Sequence, residues 1–197
     1  MKIIRSSFCA LALACGLAAS SHASADTITD FVAASGGGFD SNPFDYDILL
    51  NAVITADLAD ALANEDADLT LFAPNDLAFA QLAADLGCEC KNEEQVWNAI
   101  VSVLTDLGEG DPIPVLTDIL LYHVAPESLT FFDVIVASFF SVDIDTLQGA
   151  TITPFFFRLI DNEPDLANPY LFLPFNVGTS NGIVHTIGRV LIPVDLP

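Results

Sequence analysis

Basic residues are what this 197-residue chain has least of: five Lys and Arg stand against 27 Asp and Glu, giving a formal net charge of −22. A protein that binds nucleic-acid phosphate needs basic patches that displace counterions, so free nucleic acid is excluded as a partner. Cysteine is scarce too, with four residues, and a chain this long can bury a core without a disulfide scaffold. No apolar run reaches the roughly 20 residues that a helix needs to cross a bilayer. There is no Arg-Gly-Asp triplet, no Asn-x-Ser/Thr glycosylation acceptor and no second copy of any motif.

Catalytic vocabulary is equally thin. Histidine occurs only as His22, His123 and His185. No H-E-x-x-H helix and no glycine-rich loop feeding a helix is present, and no strand-to-helix nucleophile elbow is expected. Scattered carboxylates on so acidic a chain are poor signs of a paired acid and base. The sequence therefore predicts a protein that is not an enzyme, with no catalytic residue, no metal site and no cofactor.

The N-terminus has the three-part plan of a secretory signal: Lys2 and Arg5, an apolar run over residues 8–19, then the small residues Ala23-Ser24-Ala25. Cleavage after Ala25 predicts a secreted or periplasmic protein. The alternative is a lipoprotein signal in which Cys15, after Leu13 and Ala14, becomes the lipidated first residue. Residues 1–25 read as signal peptide and residues 26–197 as a single domain that retains Lys91, Arg158, Arg189 and all 27 acidic residues, a charge of −24. Such a charge reads as a solvated acidic surface, because no D-x-[DN]-x-[DN]-G loop marks a divalent-cation binder. Its self-repulsion is screened by salt over about 10 Å at 0.1 M. Melting temperature is expected to rise with added NaCl; a rise seen only with calcium at matched ionic strength would overturn the solvated-surface reading.

Cys88 and Cys90 form a Cys-Glu-Cys triplet after Gly87. A local disulfide with a structural role, a pairing between chains and a metal-thiolate site all fit that spacing, although two thiolates alone complete no tetrahedral zinc site.

Along the domain, Leu50, Ile54, Leu58 and Leu62, with Leu49 and Val53, recur at helical spacing and predict one or two helices. Residues 69–73 form a β-prone run closed by Pro74, and Asn75 caps a following helix that Gly87 ends. Asn92 and Gln95 open a third helix with Val96, Ile100, Val103, Leu104 and Leu107 on its apolar face. A short helical turn over residues 116–120 is expected to run into a strand at residues 121–125, with a β-like chain beyond Pro126. A hairpin is expected over residues 142–153, and strands at 171–177 and 183–192, the last announced by the turn signal Asn181-Gly182. Helices first and strands last predict an α+β domain.

Three stretches in order make the chain resemble a fasciclin domain, a secreted module of adhesion proteins: TLFAPNDLAF (residues 70–79), DILLYHV (118–124) and NGIVHTIGRVLIP (181–193). The resemblance spans nearly all of residues 26–197 and implies a wedge of strands flanked by helices. It departs at Gly188, where the family commonly has an acidic residue, and in two longer connections, residues 87–110 and 155–169. Longer loops on a fixed scaffold are where binding differences arise.

The resemblance also carries candidate partner-binding residues. In animal family members the Tyr-His region is implicated in integrin binding, which maps here onto Tyr122 and His123, with Asp118 and Ile119 just before them. Against this stands a structural reading in which His123 and His185 are hydrogen-bonded strand residues that fix register. The phenylalanines at 131, 132, 139, 140 and 155–157 are expected to be mostly core. The function implied is a non-enzymatic, exported binding module for cell adhesion, extracellular matrix or surface interaction. The alternative is a soluble carrier of an apolar small molecule such as a carotenoid, as in some algal relatives.

Overall fold

The computed structural model describes residues 26–35, 37–194 and 196. The signal peptide, the Cys15 alternative and His22 lie outside them. The first half is mainly helical: α1 (Ile28–Ser35), α2 (Asp47–Thr55) and α3 (Ala59–Leu62) precede strand β1 (Leu69–Pro74), followed by α4 (Asp76–Asp85), α5 (Glu93–Leu107) and α6 (Ile113–Tyr122). The second half holds β2 (Val124–Ala125), α7 (Phe131–Phe140), β3 (Ile144–Asp145), β4 (Thr151–Phe155), β5 (Arg158–Ile160), β6 (Val177–Thr179) and β7 (Gly182–Ile187).

β1 sits inside a four-stranded sheet of order β2-β1-β7-β6 and pairs in parallel with β7, from Leu69 opposite Gly182 to Pro74 opposite Ile187. All six of its residues are buried, which is why it reads as a continuous apolar run and not as an alternation. Pro74 ends the ladder, and the Asn75 side chain accepts the Ala78 N–H (3.0 Å) to start α4. A smaller sheet, β3-β4-β5, is wholly antiparallel. The β6–β7 hairpin turns at Ser180-Asn181. Asn181 does more than turn: its Nδ2 donates to the carbonyls of Leu62 (2.8 Å) and Asn64 (3.1 Å), and its Oδ1 accepts from Ile28 N (2.9 Å). One turn residue thus ties α1, the end of α3 and the central sheet together.

The helical stripe is two helices, within the one or two expected, because the chain breaks between α2 and α3 at Asp57, which has a positive φ. Four local expectations are corrected. Ile54 is exposed, and the buried face of α2 is Ile48, Leu49, Ala52 and Val53. The strand at 121–125 shrinks to Val124–Ala125 because α6 continues through Tyr122 and His123 is its C-cap. The chain after Pro126 becomes a helix, α7, since Thr130 and Asp133 close a reciprocal capping box, Asp133 N donating to Thr130 Oγ1 and Thr130 N to Asp133 Oδ2 (2.8 Å). Of the strand expected at 171–177 only Val177 joins one.

The connection at 87–110 is mostly α5, capped by Asn92. Before it, Cys88 and Cys90 are joined as a disulfide with Cα atoms 5.2 Å apart. At Gly188 the space a side chain would need holds the Tyr170 ring, 2.4 Å from where a Cβ would sit.

Candidate functional site

The four residues of the Tyr-His region all lie on the last turns of α6 or at its cap, yet they do not share a surface. Asp118 is exposed. Ile119 is largely buried and lines, with Asp118, Leu107, Pro114, Pro193 and Val194, a cleft of about 350 Å³. Tyr122 and His123 are interior residues, 0% and 1% exposed.

Tyr122 donates from its hydroxyl to the Thr151 carbonyl (2.8 Å), fastening the end of α6 to β4. Burial, with the negative charge of Asp161 behind it, pushes its phenol well above the usual range. His123 bridges two segments: Leu191 N donates to Nε2 (2.9 Å), and Nδ1 faces the Ile119 carbonyl at 2.8 Å. An amide can only donate, so Nε2 is the bare nitrogen and Nδ1 carries the proton given to Ile119. The ring is therefore neutral, and burial pushes its pKa down to about 4.

His185 repeats the arrangement with the tautomer reversed. Its Nδ1 accepts from Asn176 N (3.3 Å) and Nε2 donates to the Leu129 carbonyl (2.8 Å), while the ring stacks on Phe72 at 5.9 Å. Burial lowers its pKa as well. Both histidines thus stitch loops onto the sheet. The only G-x-S-x-G spacing among the described residues, Gly178 to Gly182, is the β6–β7 turn between antiparallel strands. Its Ser180 is exposed and not on a strand-to-helix elbow.

The phenylalanines are the larger departure. Phe132, Phe139 and Phe140 are 71%, 69% and 76% exposed, and Phe155, Phe156 and Phe157 are exposed beside them. Of α7 only Val134 is fully inside. Phe156 N donates to Ser138 Oγ (2.7 Å), holding the β4–β5 turn against the helix, and the rings meet edge-on, Phe139 to Phe156 at 5.8 Å and Phe155 to Phe156 at 5.2 Å. Phe131 is half-buried beneath, stacked on Phe175 at 4.4 Å. α7 and the β4–β5 turn thereby join their exposed rings, part of them from the long connection at 155–169. Contiguous exposed apolar patches mark interaction sites more often than singly scattered apolar residues do. The interior offers less: the apolar cavity between α4, α5 and α6 measures about 30 Å³, room for a water molecule and not for an extended ligand.

The two sheets, the β1–β7 parallel pair and the capped α4 are the frame on which these features sit, and residues 44–193 match the family model of the Fasciclin domain. The chain belongs to the fasciclin domain family. Protein sll1483 of Synechocystis sp. is similar to the chain, 29% identical over 148 residues, covering 75% of this chain and 67% of that protein. In fold, this fasciclin domain is similar to the FAS1 domain pair of the insect cell adhesion molecule Fasciclin I, with a TM-score of 0.59 at 19% identity over 85% of the chain. It spans about half the length of that pair. No described helix of the fasciclin domain is long and apolar enough to cross a membrane.

The signal that could have placed the aromatic face was in the sequence. Thr130-x-x-Asp133 is a capping-box pattern directly before an apolar run, and a helix apolar on every side cannot bury all of it against one sheet.

Proposed function

We propose that this fasciclin domain is an exported, non-enzymatic binding module that engages a protein of a cell surface or extracellular matrix through the aromatic face of α7 and the β4–β5 turn. The observation that carries the reading is the exposure of Phe132, Phe139, Phe140 and Phe155 to Phe157, with Phe139, Phe156 and Phe155 in ring contact. Aromatic anchors dominate the energetics of interfaces, and rigid rings lose little entropy on docking. Asp118 and Ile119 at the α6 cleft are a second contact region, and Tyr122 and His123 position α6 from beneath.

The test is Phe139→Ser combined with Phe140→Ser and Phe156→Ser. Because these rings are exposed, the variant should keep its melting temperature to within a few degrees. Retention on native cell surfaces or in pulldowns should fall at least tenfold, the loss of one or two anchors. Undiminished retention sinks the reading.

The same rings support the second reading, a carrier of an apolar small molecule such as a carotenoid, because the interior cavity is too small for an extended ligand and the exposed rings offer it an apolar surface. Protein incubated with carotenoid and gel-filtered decides: pigment eluting with wild type and not with the triple variant favours the carrier, and pigment eluting apart from both removes it.

A further inference from the structure

Away from the aromatic face, five carboxylates converge where α2 and α4 begin. Asp45 and Asp47 flank the start of α2, Asp76 is the first residue of α4, and the ligand atoms of these three lie within 4.8 Å of one another. Asp40 and Glu93, with Asp45, form an adjoining set at the same spacing. Part of this arrangement has an ordinary structural use. Asp76 accepts from Asp47 N (3.1 Å) and Ile48 N (2.9 Å), satisfying the first amides of α2, and Glu93 accepts from Asp40 N (2.6 Å).

Asp45 and Asp47 are not explained that way. Asp47 is 3% exposed and neither of its carboxylate oxygens has a hydrogen-bond partner; Asp45 is 7% exposed, with Oδ2 held by Asn42 Nδ2 (3.0 Å) and Oδ1 unpartnered. The amides of Gly38 and Gly37 face Asp47 and ease its burial, but neither closes a hydrogen bond to it. No described basic side chain forms a salt bridge with any of the five. Buried carboxylates are normally paired, hydrogen-bonded or bound to metal. Both oxygens of Asp47, within 4.8 Å reach of the Asp45 and Asp76 carboxylates, lack the first two.

We propose that Asp45, Asp47 and Asp76 hold one hard divalent cation of the calcium class, with Asp40 and Glu93 on its outer side. The donor set is all oxygen, which suits calcium, and calcium tolerates the irregular geometry of a loop joined to two helix starts. A cleft of about 190 Å³ lined by Gly37, Gly38, Phe39, Asp47, Leu50 and Asn51 gives the ion and its waters a way in. The sequence predicted no metal site because it lacks a linear loop pattern; here the ligands come from two segments some 30 residues apart, which no local spacing rule detects.

The experiment is titration of the chelator-treated mature protein with CaCl2, against NaCl at matched ionic strength, followed by calorimetry and melting. Calcium should bind one equivalent and raise the melting temperature beyond the NaCl control. Asp47→Asn should weaken calcium binding at least tenfold while remaining folded, since it removes a buried charge. Should that variant fail to fold, Asp45→Asn reads the same loss. A calcium effect no larger than the NaCl control, or affinity unchanged in a folded variant, overturns the proposal.

Discussion

His123→Ala is expected to lower the unfolding free energy by about 3 kcal/mol at pH 7.5. Removing the ring orphans the Leu191 N–H, a buried donor worth about 1–3 kcal/mol when left unpaired, and leaves a cavity beneath α6. The loss also depends on pH in a direction that can be worked out. The folded-state pKa of about 4 lies below the ordinary 6.5, so the unfolded chain takes up a proton first. Stability from the neutral ring is complete above 6.5 and declines as pH falls towards 4, by about 3 kcal/mol over the window. Asp76 and Asp161, whose pKa values are raised to about 8 and about 6, act in the opposite sense, so the difference between wild type and variant is the quantity to follow. Urea unfolding at pH 7.5 and 4.5 should show that difference shrinking on acidification. A variant as stable as wild type that has lost partner retention would instead make His123 a contact residue.

Gly182→Ala should cost about 4 kcal/mol or prevent folding outright. Gly182 has φ of +152° in the β6–β7 hairpin, and a Cβ there would lie 2.0 Å from the Leu69 carbonyl oxygen. That oxygen belongs to the register partner of Gly182 in the parallel β1–β7 pair. It cannot retreat without parting the two central strands, and Asn181 beside it carries the bonds that hold α1 and α3. Such a change combines a backbone clash with an unfavourable φ, both on the short list of severe effects. Gly178→Ala in β6, where nothing lies within 4 Å of the added carbon, is the control and should change stability by under about 0.5 kcal/mol. Equal melting temperatures for the two variants would show that the β1–β7 register is softer than this geometry implies.

The family signatures were legible because they are local. A continuous apolar strand, a proline stop and an asparagine cap need only neighbours in sequence, and β1, Asn75 and α4 follow from them. The β6–β7 hairpin was announced by Asn181-Gly182, although the turn residues are Ser180 and Asn181 and of these three only Gly182 has a positive φ. Where readings failed, two local preferences competed. The aromatic and β-branched residues of 131–140 favour a strand by composition, and the Thr130–Asp133 box overrode them by satisfying the first amides of a helix. At residues 121–123, helix α6 simply continued to the last residue that the Ile119 and Leu120 carbonyls could hold.

What the sequence alone determined was the class of protein: strongly acidic, poor in the basic residues that nucleic-acid binding needs, and built on a fasciclin frame. Charge, motif order and turn chemistry are additive along a chain and can be read without folding it. Only the tertiary structure decided what each candidate residue does. It drew Tyr122 and His123 inside, turned six phenylalanines out, and gathered Asp45, Asp47 and Asp76 at the starts of two helices. Burial and convergence are set by which elements pack together, and no spacing within one segment encodes the neighbour that arrives from another.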